Sequence, residues 1–377
     1  MSLKILHTAD LHLGAKMFFL GEKAEQQRGQ LKKTFAKIVD RALELNVDLF
    51  LIAGDVFDNP LPSQVNLAFF QEQIERLLAK GIFVVQIPGN HDYLAKESVY
   101  LHHNFFRRQR NNYRLITKEY DTWEIPELDT FVQAGAVTRQ KSRVSPLAEF
   151  VNKRQAGKGT KQWQIGLVHG SIAGISTETN FPIDKKEIAQ LNLDYLALGD
   201  WHSTLNVSVD GSWAYYSGSP ETVAIDQKGA GNVIFIELET GKKPKVSLVP
   251  VGSRKNVKLA LDVDKIANIN QLIKEIQQYQ GEDTILQVKL TGIRRLDFHL
   301  DLEDLYKHLQ PEFFYLRLDD QSQLQISTQE LQKYPQELIT GRFIKILQER
   351  KGTDNKENAL IDKAIQMGIK LLTGGET

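Results

Sequence analysis

Five short clusters in this chain carry residues able to do chemistry: Asp10 with His12, Asp55 with Asp58, Asn90 with His91, His169, and Asp200 with His202. Their carboxylate oxygens, amide oxygen and imidazole nitrogens are hard or borderline donors. The chain has no cysteine to add a soft one. Such a set suits two divalent ions, and its mixed nitrogen and oxygen character leans to manganese or iron, with zinc and magnesium as the other members of the class. Crowded carboxylates repel one another unless cations neutralise them. Asp55 lies centrally among the clusters and is the best candidate to bridge two ions. A pair of ions about 3.5–4 Å apart can activate a water and clamp both sides of an in-line phosphoryl displacement. His91 stands next to a ligand rather than being one, which suits it to protonate a leaving oxygen.

Each cluster follows an apolar run that reads as a buried strand: Leu3–Leu6, Leu49–Ala53, Ile82–Val85, Ile165–Val168 and Leu193–Leu198. Open α/β sheets place ligand sites at the C-terminal ends of their strands. If the strands are neighbours, the donors converge on one edge. Asp10 and His12 are two apart, as are Asp200 and His202, so extended backbone would point each pair the same way. Taken singly, any of these clusters could be a polar turn. Their repetition after successive strands is what favours a site.

The intervening segments supply helices. Leu31, Phe35, Ile38, Val39, Ala42 and Leu43 recur at helical spacing, and so do Leu67, Phe70, Ile74, Leu77 and Leu78 behind a Ser63 N-cap. The opening part of the chain therefore reads as βαβαβ with right-handed crossovers. The strands Val233–Glu237 and Val246–Val251 complete the sheet in antiparallel fashion. Two basic stretches, His102–Arg110 with Phe105 and Phe106 inside it, and Arg139–Lys161, could contact a polyanion but read more simply as a helix face and a solvated loop.

A length of 377 residues with 41% hydrophobic and 25% charged residues fits a globular chain of two domains and a small third piece. The formal net charge is zero, so any polyanion site must be a local patch. Absence of cysteine excludes disulfides and thiolate chemistry. No signal-peptide pattern or bilayer-length apolar run is present, which leads us to expect a cytoplasmic protein without membrane association. The expected divisions are a core domain carrying the five clusters over 1–252, a small α/β domain over 253–325, and a helical segment over 326–377. That last segment carries apolar stripes at Phe343–Leu347 and Ile361–Leu372, which have no obvious core of their own and suit partner docking or docking back on the body.

Taken together, Asp-x-His, Gly-Asp-x-x-Asp, Gly-Asn-His-Asp, a strand-end His-Gly and a Gly-x-x-His resemble the calcineurin-like metallophosphoesterases. More narrowly, Thr8-Ala9-Asp10-Leu11-His12-Leu13-Gly14 and Gly54-Asp55-Val56-Phe57-Asp58 resemble the SbcD-type DNA repair nucleases. The resemblance implies a four-layer αββα metallophosphoesterase core with a small α/β capping domain and C-terminal helices. It implies that Asp10, His12, Asp55 and His202 hold one manganese and that Asp55, Asn90, His169 and Asp200 hold the other. His91 would be the catalytic histidine, and Asp58 stands where some relatives carry a second active-site histidine. One departure is plain: the family pattern has histidine where this chain has Asp200. The implied activity is exonuclease or phosphodiesterase cleavage of DNA in repair. The implied partners are DNA and an SbcC-like coiled-coil ATPase, with a homodimer as a further option. The other readings are a phosphatase or small-molecule phosphodiesterase, and a scaffold with weakened catalysis that binds DNA or an ATPase.

Overall fold

The structure is a computed structural model that describes residues 1–377 apart from 154–160, 175–179, 210, 226, 228, 296–297, 299, 325–332 and 373–377. The chain divides into two compact units, Met1–Arg254 and Lys255–Thr377.

In the first unit the chain begins with β1 (Ser2–Thr8), α1 (Ala24–Glu44), β2 (Leu49–Ala53), α2 (Gln64–Leu78) and β3 (Phe83–Ile87). Two single-turn helices follow, α3 (Val99–His102) and α4 (Asn104–Arg107), and then β4 (Tyr113–Leu115), β5 (Asp121–Ile125) and β6 (Thr130–Ala134). After α5 (Ala148–Lys153) come β7 (Trp163–His169), α6 (Lys185–Leu191) and β8 (Tyr195–Gly199). The unit closes with β9 (Leu205–Asn206), β10 (Ala214–Tyr216), β11 (Asn232–Glu239) and β12 (Lys245–Pro250).

These strands form two six-stranded sheets, ordered β12-β11-β1-β2-β3-β4 and β5-β6-β7-β8-β10-β9. In the first, β1, β2, β3 and β4 are parallel, and β11 joins β1 antiparallel. In the second, β6, β7 and β8 are parallel. The two sheets face each other across one core. Ile5, Leu49, Leu51 and Val85 of the first meet Val132, Ile165, Leu167 and Ala197 of the second. The alternate residues point outward: Val168, Leu196 and Leu198 pack with Phe150, Ile188 and Leu191 from α5 and α6. Both faces of the central strands are thus covered, which is why they read as continuous apolar runs. His7 on β1 reaches across to the second sheet, its Nδ1 2.9 Å from the Tyr195 hydroxyl. The fold is the mixed α/β sandwich expected, with helices outside two sheets.

Local signals in the sequence account for several boundaries. Ser63 caps α2, its hydroxyl accepting the Asn66 N–H at 3.3 Å. Gly81 follows the helix with φ +77°, a left-handed turn that glycine adopts without strain. In the basic stretch after β3, Phe105 and Phe106 are buried. The Arg110 guanidinium lies 4.5 Å from the Phe105 ring and bonds Glu75, so this arginine is a structural strut. In the second basic stretch Arg139 pairs with Glu119, Lys153 with Glu149 and Lys161 with Asp129. Arg154 and Lys158 lie outside the described residues.

The second unit holds three parallel strands, β13 (Lys255–Asp262), β14 (Gly281–Thr291) and β16 (Phe313–Asp320). Between them lie α7 (Ile269–Gln277) and α8 (Leu302–Leu309), packed on Leu286, Val288, Leu290 and Leu316. The short β15 (Ile293–Arg294) and β17 (Gln323–Leu324) pair with each other. Two further helices, Ile339–Glu349 and Asn355–Leu372, differ from expectation. Their stripes do have a core: Ile344, Ile361, Ile365 and Ile369 are buried together with Leu324, and Phe343 and Leu347 pack on them. Among the described residues of the last helix, Leu360, Met367 and Leu371 stay uncovered, between 63% and 69% exposed, and Leu372 is 47% exposed. Among the described residues no helix is long and apolar enough to cross a membrane.

Candidate metal centre

The donors come from both sheets, not from neighbours in one. Asp10 and His12 follow β1, Asp55 follows β2, and Asn90 with His91 follows β3. From the opposite sheet, His169 ends β7, and Asp200 with His202 follows β8. The C-terminal ends of the two facing sheets therefore meet at one place.

Extended backbone does not aim these side chains. Asp10 (φ 54°), His12 (φ 46°), Asp55 (φ 53°) and Asp200 (φ 95°) all adopt left-handed conformations. Such backbone costs a non-glycine residue about 1–3 kcal/mol and persists only where surrounding structure enforces it. Here the enforcement is a ladder continued past the strand ends. The Asp10 N–H donates to Gly54 O (3.1 Å), His12 N–H to Asp55 O (3.0 Å) and Leu13 N–H to Val56 O (2.9 Å). The two sheets also approach very closely: a Cβ on Gly199 would strike the Ala53 carbonyl and stand 2.7 Å from His169 Nδ1.

Asp55 sits at the centre. Its Oδ2 lies 3.7 Å from His12 Nε2 and 3.6 Å from His169 Nε2, facing both imidazoles. Its Oδ1 accepts the His91 N–H at 2.9 Å. Around this carboxylate the donors form two groups. In one, His12 Nε2 and His202 Nε2 are 3.2 Å apart, and Asp10, His12 and His202 present ligand atoms within 4.8 Å of one another. In the other, His169 Nε2 lies 2.8 Å from Asn90 Oδ1 and 3.7 Å from Asp200 Oδ1, and Asp10 reaches this group too, its ligand atom within 4.8 Å of those of Asp55 and His169. Asp200 and His202 thus turn to different groups.

Outer contacts hold each donor. His169 donates from Nδ1 to the Ala53 carbonyl (2.8 Å), which directs Nε2 inward. Asp58 Oδ1 lies 3.2 Å from His12 Nδ1, a hydrogen bond that orients that ring, and stands 3.6 Å from His91 Nδ1. Ser171 donates its hydroxyl to Asp200 Oδ2, and the Asp200 N–H donates to Asp10 Oδ1 at 3.1 Å. Gln227 Nε2 meets His202 Nδ1, while Gln227 Oε1 accepts the Val223 N–H at 2.8 Å. Asp92 accepts from Gly89 N–H (2.7 Å), Phe57 N–H (3.1 Å) and the Tyr100 hydroxyl (2.5 Å), and so ties the loop of Asn90 to that of Asp55. No role for Ser171, Gln227 or Asp92 follows from the sequence. Asp92 at least stands inside a motif, whereas Gln227 lies in a turn-rich segment without a signal.

Asp10, Asp55 and His12 are 1–2% exposed and His169 is fully buried. Among the described residues no lysine or arginine pairs with Asp10, Asp55 or Asp200. With no ion bound, the groups shift to share protons. Burial raises the Asp10 carboxyl to about 7. Burial would lower His169, but Asp55, Asp200 and Asp10 outweigh it and carry the ring up to about 9. His12 is likewise carried up to about 8, against burial, by the Asp58 hydrogen bond and by Asp55. Asp55 resists burial because His169, His12 and His91 hold it below the usual carboxylate range. His202 falls to about 3, through burial and the neighbouring His12. Buried carboxylates balanced only by imidazoles fit a site for divalent cations, which would displace those protons.

A family model described as calcineurin-like phosphoesterase matches residues 3–204, a span that includes every one of these donors. The chain belongs to the calcineurin-like phosphoesterase family. Members of this family use a dinuclear metal centre, and the two donor groups sharing Asp55 could hold one. Among curated relatives, the chain is 26% identical over 248 residues to an uncharacterized metallophosphoesterase, YhaO, of Bacillus subtilis, covering 63% of this chain and 58% of that protein. It is 24% identical over 251 residues to the DNA double-strand break repair protein Mre11 of Methanopyrus kandleri, covering 60% and 52%. To the protein of that name from Aeropyrum pernix it is 37% identical over 288 residues, covering 69% and 64%. The chain thus spans less than two thirds of the length of each of these relatives. The family match and these relatives support a metal-dependent hydrolase acting on phosphoester bonds.

Proposed function

We propose that this calcineurin-like phosphoesterase is an SbcD-type DNA nuclease that works in DNA repair beside an SbcC-like ATPase. The observation that carries the reading is the pair of donor groups sharing Asp55, with His91 at their rim. Asp10, His12, Asp55 and His202 would hold one ion, and Asp55, Asn90, His169 and Asp200 the other, manganese being the first choice. When bound, the ions supply an activated water and neutralise charge on the phosphodiester. The chain's own residues do the rest. His91, whose side chain is 44% exposed while Asp10, His12, Asp55 and His169 are buried, can reach a leaving oxygen and give it a proton. Asp58 stands beside the His91 ring. A centre whose proton donor opens to solvent suits a polymer substrate. Relatives named for DNA double-strand break repair support DNA as that polymer. The exposed Leu360, Met367 and Leu371 offer the surface on which the ATPase would dock.

Manganese-dependent cleavage of end-labelled duplex and single-stranded DNA tests this, with metal content measured on each protein. The parent should cut. His91→Ala should keep its metal and lose cutting, and Asp55→Ala should lose both. Equal cutting by all three would overturn the site assignment. Hydrolysis of simple phosphodiesters without cutting of DNA would favour a small-molecule enzyme.

A further inference from the structure

Glu221, in the loop after β10, is a carboxylate only 1% exposed, and nothing described so far uses it. Burying an ionisable group is costly unless hydrogen bonds replace the water it loses. Here four donors do so. The Thr34 hydroxyl donates to Oε2 at 2.9 Å and the Ser253 N–H to the same oxygen at 2.8 Å. The N–H groups of Thr222 and Arg254 donate to Oε1 at 3.0 and 3.1 Å. An ionised carboxylate offers about four acceptor positions, so this one is fully used. Its donors lie on α1, in its own loop, and where the chain leaves the first unit. Gln27 on α1 strengthens the same tie, donating from Nε2 to the Thr222 carbonyl (2.8 Å) and accepting the Arg254 Nε–H at Oε1 (3.0 Å). The outgoing chain also lies hard against the loop: a Cβ on Gly252 would stand 2.6 Å from Gly231 Cα and 2.9 Å from the Pro220 carbonyl oxygen.

The loop so fastened holds His202 at two points. Ahead of Glu221, the Ser219 N–H donates to the His202 carbonyl at 3.0 Å. Beyond it, Gln227 Nε2 meets the His202 ring at Nδ1, while Gln227 Oε1 accepts the N–H groups of Val223 (2.8 Å) and Ala224 (3.2 Å). Val223 and Ala224 directly follow Thr222, which Glu221 and Gln27 pin. Fixing Thr222 therefore fixes the N–H pair that aims Gln227, and Gln227 aims the ring. We infer that Glu221 is a positioning residue for His202: it ties the loop to α1 and to the outgoing chain, and through the loop it sets the angle of the imidazole. The inference rests on the metal-dependent reading above, in which His202 helps to hold one of two ions. A Glu221 that merely supported the fold would affect folding and leave metal affinity alone.

The test uses the metal-free full-length chain with Mn²⁺ as the probe. Electron paramagnetic resonance counts spin-coupled and single Mn²⁺ ions, and the melting temperature without metal reports the fold. Glu221→Gln keeps the shape of the side chain but has one acceptor oxygen, so two of the four donors lose their partner. It should weaken one of the two Mn²⁺ ions by about tenfold and leave the other as in the parent. At Mn²⁺ concentrations that just saturate the parent, its coupled signal should give way to one uncoupled Mn²⁺ per chain. Thr34→Val removes a single donor and should act in the same direction to a smaller degree, and it carries the test should Glu221→Gln fail to fold. Gln227→Ala removes the contact with the ring itself, so adding Glu221→Gln to it should weaken Mn²⁺ no further. Additive losses would overturn the inference. So would a lowered melting temperature with both ions bound as tightly as in the parent, in whichever of Glu221→Gln and Thr34→Val folds, and the metal centre would then stand without it. A parent that does not hold two Mn²⁺ ions would overturn the inference together with the reading it rests on.

Discussion

At the scale of the residue, the donors are held by groups outside the candidate ligand set. Asp58 is the clearest case, because one carboxylate oxygen faces two imidazoles, His12 at 3.2 Å and His91 at 3.6 Å. Removing it frees the His12 tautomer and takes a carboxylate from beside the His91 ring. Asp58→Ala should therefore bind Mn²⁺ about tenfold more weakly and lose phosphodiester cleavage by a larger factor. Calorimetric titration with Mn²⁺ beside an activity assay checks this, and unchanged values in both would remove Asp58 from the machinery. The separation of Asp200 from His202 also belongs to this scale. Two residues apart in sequence, they face different donor groups, His202 toward His12 and Asp200, on left-handed backbone, toward His169.

At the scale of the element, the strand ends work only because the sheets press together there. Gly199 ends β8 against the Ala53 carbonyl that ends β2. Gly199→Ala cannot place its methyl without moving one of the sheets. It should lose about 2 kcal/mol of stability and most of its metal affinity, as read by urea unfolding and Mn²⁺ titration. Wild-type stability would show that the strands separate at little cost. The helices Ile339–Glu349 and Asn355–Leu372 bury one stripe against each other and leave Leu360, Met367 and Leu371 outside. Residues seven and four apart share a helix side, so these three form one surface. Charging Leu360 and Met367 together should leave helicity by circular dichroism unchanged and abolish capture of an SbcC-like ATPase. Retained capture would move the docking surface elsewhere.

At the scale of the whole molecule, an ion held by these groups would compete with protons for them. Asp10 keeps a proton to about pH 7, His12 to about 8 and His169 to about 9, whereas an unfolded carboxylate has released its proton by about 4 and an unfolded imidazole by about 6.5. Between pH 6.5 and 9 the metal-free folded protein therefore binds more protons than the unfolded chain, and its stability falls as the pH rises. Metal binding needs those protons gone, so Mn²⁺ stabilises more at higher pH. The gap between Mn²⁺-loaded and chelator-treated melting temperatures should widen from pH 6.5 to 9. A constant gap in differential scanning fluorimetry would mean that these groups do not hold the ion.

The sequence by itself determined the covalent inventory: which donors exist, that none is sulfur, and that each follows an apolar run. It determined the βαβαβ opening as well, because strands buried on both faces and amphipathic helices write different periods into the chain. The tertiary structure decided what periodicity cannot encode. The donor-bearing strands belong to two sheets, and that follows from packing across a core. Asp10 and His12 converge through left-handed turns held by the Asp55 loop, contacts between segments about forty residues apart. The apolar stripes of the last helices are spent on each other, since a stripe looks the same in sequence whether it meets a partner or its neighbour. Ser171, Gln227 and Asp92 owe their places at the centre to hydrogen bonds across the fold, and a polar residue carries no mark in the sequence of what it will bond.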